Sequence, residues 1–211
     1  MRTSGSDRYQ TASQVAVTNW TTSDNLVLVS GEGYADAISA SVLAKKLDAP
    51  ILLTTPKVFN SYTKTALDTL KPKNVYVIGG NASVSKEIRD FLKSSYNIIE
   101  LGGANRYETN VAVAKKLVEL GVDPSNAILA SGEGFSDAFT VASIAAVKEQ
   151  ILLLGTNDLS SIELVKDFID DHKSSIIVVG TDFAINDNTY KAVNGVKRIS
   201  GGTGLIQILK L

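Results

Sequence analysis

Two nearly identical corners of the sequence place carboxylates beside glycines. The stretch "SGEGYAD" covers residues 30–36, and "SGEGFSD" covers residues 131–137. Each follows a short apolar run and precedes a helical pattern, so its backbone N–H groups could cradle an anion at a helix start. The spacing matches neither the GxGxxG motif nor the nucleotide-binding P-loop motif, and the two acids of each corner would repel an incoming phosphate. The residues therefore favour a structural corner over an anion cradle.

An arginine stands upstream of each corner and could bind its carboxylates. The segments "DRY" and "NRY" place Arg8 and Arg106 directly after Asp or Asn, which are favourable N-caps, so both arginines fall in a first helical turn. A cation at that end of a helix is mildly unfavourable unless something binds it. One interpretation is a bidentate ion pair, for example from Arg8 to Asp36 or Glu32. The other is an arginine that faces a cleft and binds an acidic sugar or a phosphate. We expect the ion pair.

The residue types needed for most catalytic sites are scarce. The chain contains one histidine, His172, and no cysteine. Thiolate metal sites, disulfides and cysteine nucleophiles are therefore excluded, and a histidine-rich metal site or a Ser–His–Asp triad is disfavoured. Paired acids at one helix start are more often caps than acid–base pairs. We expect no catalytic residue, no metal site and no cofactor.

Composition and charge limit the partners. With 211 residues, of which 44% are hydrophobic, the chain can bury the core of one large domain or two small ones. A formal net charge of −1 would not draw it to nucleic acid or to acidic membranes. The apolar runs, such as "SIIVV" at residues 175–179, are far too short to span a bilayer, and the first residues show no charged-then-apolar leader. We expect no nucleic-acid partner, no membrane span and no export signal in these residues.

The sequence is built from one unit used twice. "SGSDRYQTASQVA" at residues 4–16 matches "GGANRYETNVAVA" at residues 102–114, and "APILLTT" at residues 49–55 corresponds to "EQILLLG" at residues 149–155. The motifs keep the same order in both units. Matching corners in one chain therefore indicate duplication.

Helical and strand periods alternate within each unit. In the first unit the pattern predicts helices at residues 8–20, 34–47, 60–70 and 84–93, and strands at residues 26–29, 50–53, 75–78 and 97–101. Strands that are apolar on both faces and separated by helices indicate a parallel sheet covered on both sides. We predict an α/β fold of two tandem Rossmann- or flavodoxin-like lobes, at residues 1–101 and 102–199, with residues 200–211 as the incomplete start of a third repeat or an aberrant tail.

Four segments of the chain together resemble a known family. They are "SGSDRYQTA", "VLVSGEGYADAISAS", "APILLTT" and "VYVIGGNASVS". In this order they resemble the cell-wall-binding repeat 2 family of Gram-positive, clostridial-type surface proteins, and the resemblance runs from about Arg2 to Arg198. It implies three tandem α/β lobes around a pseudo-threefold axis. It also implies that secreted proteins use them for S-layer-type, non-covalent anchoring beside a separate active domain.

The resemblance implies a non-catalytic module at the cell wall or extracellular surface that binds an anionic secondary wall polysaccharide. The candidate polymer-binding residues are Arg8, Tyr9, Ser30, Gly31, Gly33, Asp36, Arg106, Tyr107, Ser131, Gly132, Gly134 and Asp137. The family associates an "ILL" segment with anchoring, which here is Ile51, Leu52, Leu53, Ile151, Leu152 and Leu153. By their pattern these six are buried strand residues, so we expect that changing them unfolds the lobe first and weakens anchoring as a consequence.

Other functions remain open from the residues alone. An enzyme or a small-ligand binder could use the cleft at the carboxyl ends of the strands. A third possibility is a purely structural spacer whose anchoring needs the missing lobe. Two complete lobes are present where the family usually has three. If three lobes share an axis, two faces lie bare, and we expect self-association through them.

Overall fold

The computed structural model of the chain describes residues 2–201, which form two α/β lobes. The first lobe contains α1 (Arg8–Asn19), β1 (Asn25–Ser30), α2 (Ala35–Lys46), β2 (Ile51–Thr54), α3 (Ser61–Leu70), β3 (Asn74–Ile78), α4 (Lys86–Lys93) and β4 (Asn97–Leu101). The second contains α5 (Arg106–Glu119), β5 (Asn126–Ser131), α6 (Phe135–Val147), β6 (Ile151–Gly155), a 3-10 helix (Leu159–Ile162), α7 (Glu163–His172), β7 (Ser175–Val179), α8 (Asp187–Ala192) and β8 (Gly195–Ile199). The predicted alternation of helices and strands is confirmed.

Both sheets are entirely parallel and share one strand order. The first runs β2-β1-β3-β4 and the second runs β6-β5-β7-β8. The chain moves from β1 outward to β2, and then returns past β1 to add β3 on its other side. The boundary between β1 and β3 is therefore a topological switch point, the place where open α/β sheets usually bind ligands. The prediction of two tandem lobes, each a small parallel sheet flanked by helices, is confirmed.

The limits of the lobes stay a prediction. β4 ends at Leu101 and α5 begins at Arg106, so the predicted boundary between residues 101 and 102 falls in the connection between the sheets. The predicted start of a third repeat at residues 200–211 lies outside the described residues from residue 202 onward.

The "ILL" segments form the edge strands β2 and β6. Leu52 is fully buried, while Ile51 and Leu53 are half-buried; all three equivalents in β6 are buried. The difference has a physical cause. Both α5 of its own lobe and α2 of the first lobe pack on β6, whereas within residues 2–201 only helices of its own lobe pack on β2. The interpretation as strand residues is correct, although burial is complete only in the second lobe.

The two lobes contact each other head to tail through α2. This helix packs against both α5 and α6 of the second lobe, and an ion pair of 2.8 Å joins Lys46 Nζ to Glu149 Oε2 across the interface. Ile38 on α2 is 4% exposed, whereas its equivalent on α6, Phe139, is 60% exposed. On α2 this helix face is covered by the second lobe, whereas the equivalent face of α6 is exposed to solvent.

Candidate ligand-binding cleft

An open cleft of about 590 Å³ lies between the two lobes. Residues 32–36, after β1, and residues 80–83, after β3, line one side of it. Residues 103–106 and Thr109, at the start of the second lobe, line the other. The cleft therefore sits at the switch point of the first sheet and is closed by the first turn of α5.

Arg106 reaches across the lobe boundary at the edge of this cleft. Asn105 caps α5 by accepting hydrogen bonds from the N–H groups of residues 107 and 108, both at 2.9 Å, as its N-cap position predicts. One guanidinium nitrogen of Arg106 donates to the hydroxyl of Tyr34 at 3.2 Å and to the carbonyl of Gly132. The Tyr34 hydroxyl also donates to that carbonyl at 3.1 Å, and its ring lies 5.6 Å from the guanidinium carbon. Arg106 thus links a tyrosine of the first lobe to the glycine corner of the second.

The ion pair expected for Arg8 is not formed. Arg8 donates to the carbonyl of Gly31 at 2.6 Å, and it takes part in none of the ion pairs found within residues 2–201. The expectation was wrong because the first helical turn lies over the glycine corner, where a backbone carbonyl is the nearer acceptor. The guanidinium of Arg106 likewise bonds the corner carbonyl of its own lobe, and its charge acts on Asp36 of the other lobe.

Asp36 forms part of the floor of the cleft. Its side chain bonds to Ser83, which lies in the connection between β3 and α4. Gly79 has a φ of +105°, and a Cβ there would lie 2.5 Å from the Asp36 carboxylate. Burial raises the pKa of Asp36, while the bond to Ser83 and the charge of Arg106 oppose the rise. Asp36 therefore packs against the glycine that follows β3 and also lines the cleft.

The raised pKa of Asp36 predicts that the stability of the fold decreases as pH rises. A carboxyl group with a raised folded-state pKa favours folding below its ordinary value, near 3.8, and that contribution is lost as pH rises through the folded-state value. We therefore expect the unaltered chain to lose stability relative to Asp36→Asn as pH increases from about 3.8. Urea unfolding of both proteins from pH 3.5 to 7 measures the difference. A constant difference across this range would contradict the prediction.

The other predicted binding residues lie in the cleft lining, in the two glycine corners, or at the start of α6. Gly33 lines the cleft with Asp36 and Arg106. The hydroxyls of Ser30 and Ser131 accept the N–H groups two residues later, both at 3.2 Å, and so shape the corners. Tyr9 and Tyr107 pack against Gly31 and Gly132, where a Cβ would lie 2.6 Å and 2.7 Å from the rings. Gly134 and Asp137 lie at the start of α6, the position in the second lobe that corresponds to Gly33 and Asp36 in the first. Polymer binding by these residues stays a prediction.

Several residues of the cleft and the interface were not among those predicted from the sequence. Tyr34, Asn81 and Asn105 line the cleft, and Asn110 bonds to Ser39 of the other lobe at 3.1 Å. The position of Asn81 could have been predicted, because it follows the glycine pair that comes directly after β3. Those of Tyr34 and Asn110 could not, since their roles depend on how one lobe sits against the other.

The described part of the chain has neither a membrane-spanning helix nor a metal-binding cluster of acidic and histidine side chains. None of its helices has both the length and the apolar character needed to cross a bilayer. Within residues 2–201, no group of three or more histidine, aspartate or glutamate side chains is arranged to hold a metal ion.

Comparison with known sequences identifies relatives along almost the whole chain. The family model of cell wall binding domain 2 (CWB2) matches residues 2–89 and 100–190. The chain is 36% identical to the N-acetylmuramoyl-L-alanine amidase LytC of Bacillus subtilis over 202 residues, which is 95% of this chain and 40% of the amidase. It is 32% identical to the amidase enhancer of the same organism over 206 residues, 96% of this chain and 28% of that protein. The chain thus spans less than half of either relative.

Two solved structures share the fold. Cwp6 from Clostridium difficile matches with a TM-score of 0.87 and 26% identity, over 99% of this chain and 35% of that one. Cwp8 from the same organism matches with a TM-score of 0.86 and 22% identity, over 99% of this chain and 36% of that one. At this lower identity, Cwp8 informs the fold alone.

Proposed function

The chain belongs to the cell wall binding domain 2 family, and we propose that it is a non-catalytic module that attaches a protein to the cell wall by binding an anionic secondary wall polysaccharide. The share of the amidase relatives that it matches, 40% and 28%, supports a module that accompanies a separate active domain. The proposed location is the cell wall or extracellular surface of a Gram-positive bacterium.

The observation that carries the proposal is the inter-lobe cleft with Arg106 at its edge. The cleft is open, lies at the switch point of the first sheet, and presents polar groups from both lobes. A site between two lobes would explain why the repeats occur in tandem, because one lobe alone supplies only one side of the cleft. The "ILL" residues are strand residues with no place in the cleft lining, so their proposed contribution to anchoring is through the fold.

Retention on purified walls tests this function. We expect the chain to sediment with walls, and to lose retention when the anionic polymer has been stripped from them. Arg106→Gln should weaken retention about tenfold, because the variant loses a charged donor at the cleft edge. Arg8→Gln is the matched comparison, because Arg8 makes the same bond to its corner carbonyl but does not line the cleft. Unchanged retention of this variant would support a site at the cleft, and an equal loss would support the predicted binding by Arg8. Equal retention on stripped walls would exclude the polymer as the ligand.

We also propose that the open face of α6 takes part in self-association. Phe135, Phe139 and Val147 are 54%, 60% and 76% exposed there, although the equivalent face of α2 is covered by the second lobe. An apolar face of this kind favours contact with another protein surface.

A further inference from the structure

The charged groups that line the inter-lobe cleft do not suit an anion. Among the described residues of its lining, Glu32 and Asp36 are acidic and Arg106 is the one basic residue. Arg106 already donates to Tyr34 and to the carbonyl of Gly132, so part of its donor capacity is used within the protein. A phosphate or carboxylate entering the cleft would meet one shared guanidinium and two groups that repel it when they are ionised.

The remaining polar groups of the cleft suit hydroxyls. Glu32 and Asn81 are exposed, and their side chains form no hydrogen bond with other described residues. Glu32 offers acceptors, Asn81 offers donors and an acceptor, and Arg106 offers donors. A sugar hydroxyl donates and accepts, so it can satisfy all three. A fully ionised phosphate accepts only, and it would leave the Glu32 carboxylate unpaired.

We propose that the cleft binds an uncharged sugar unit of the wall polysaccharide through its hydroxyl groups, and that the anionic groups of the polymer stay outside the cleft. This inference rests on the proposed function and specifies which part of the polymer the cleft recognises. Glu32 accepts a hydrogen bond from one hydroxyl, and Arg106 donates to a neighbouring oxygen. The volume of about 590 Å³ is within the range of roughly 300–1,000 Å³ that is usual for small-molecule sites.

Replacing Glu32 distinguishes the two kinds of ligand by the sign of the effect. If a sugar hydroxyl binds Glu32, Glu32→Ala should weaken retention on walls roughly threefold to tenfold, because a charged acceptor is lost. If an anion binds in the cleft, the same change should strengthen retention, because a repelling charge is removed. Glu133→Ala is the matched control at the equivalent corner of the second lobe, outside the cleft, and should leave retention unchanged.

Competition by inorganic phosphate provides a second readout on the unaltered chain. At equal ionic strength, phosphate should displace the protein from walls no better than chloride does. Stronger retention of Glu32→Ala, or displacement specific to phosphate, would overturn the inference and leave the proposed wall attachment intact. If the unaltered chain is not retained by walls at all, the proposed function fails, and the inference fails with it.

Discussion

Replacing Asn110 with alanine is expected to lower the free energy of unfolding by about 2–5 kcal/mol. Asn110 is 1% exposed. Its amide nitrogen donates to the carbonyl of Leu152 at 2.9 Å, and its amide oxygen accepts the N–H of Leu154 at 2.9 Å. Both backbone groups belong to β6, an edge strand, so the asparagine takes the place of a neighbouring strand on that side. Alanine would leave a buried donor and a buried acceptor without partners.

The same substitution also removes a bond between the lobes. The amide nitrogen of Asn110 donates to the hydroxyl of Ser39 on α2 at 3.1 Å. We therefore expect the midpoint of urea unfolding, followed by circular dichroism, to fall clearly for Asn110→Ala. Asn19→Ala is the control, since this exposed asparagine of α1 bonds only to the carbonyl of Val15 in its own helix. If the two variants lost similar stability, water would be satisfying the edge of β6, and the assigned role of Asn110 would be wrong.

The fold was predictable because each of its elements has a local pattern. Continuous apolar runs marked the strands, and the N-cap residues Asp7 and Asn105 marked the starts of α1 and α5, where both accept backbone N–H groups as expected. The duplicated order of motifs then predicted that the second lobe repeats the first. These signals act within a few residues of each other, so they can be read from the chain alone.

The contacts between lobes were not predictable in the same way. At the position of Asn110 the first unit has Ala12, so comparison of the repeats showed no polar requirement there. The bond from Arg106 to Tyr34 joins residues 72 positions apart in the chain. It depends on the orientation of one lobe against the other, which no local period encodes. For the same reason, the sequence left open whether a binding site lies within one lobe or between the two.

The second large effect is expected for Arg89, a residue that is 4% exposed and whose guanidinium group satisfies two backbone carbonyls. Its Nε donates to Val84 at 3.0 Å and its Nη2 donates to Gly79 at 2.6 Å. Its Nη1 lies 2.8 Å from Glu100, which also pairs with Lys93 at 2.7 Å. We expect Arg89→Leu to lower the free energy of unfolding by about 3–5 kcal/mol, since it breaks a largely buried polar network. Lys93→Ala removes the exposed partner of the same carboxylate and should cost less than about 1 kcal/mol.

In the second lobe, a guanidinium group binds the equivalent carbonyls but comes from a different position in the repeat. There, Arg198 on β8 donates to the carbonyl of Ile185 at 2.7 Å and to that of Gly180 at 3.4 Å, the equivalents of the Val84 and Gly79 carbonyls. Tyr190 occupies the helix position that corresponds to Arg89, and its ring centroid lies 5.0 Å from the guanidinium carbon of Arg198. The same two carbonyls are thus bound by an arginine from a strand in one lobe and from a helix in the other.

This exchange gives a rescue experiment for Arg89. Arg89→Tyr alone should destabilise the chain about as much as Arg89→Leu. Adding Glu100→Arg should restore at least half of the loss, because an arginine at that strand position can donate to the same carbonyls, as Arg198 does. Urea unfolding of the single and double variants measures the coupling. Additive losses would show that Arg89 acts through its pair with Glu100, and that the backbone carbonyls are satisfied in another way.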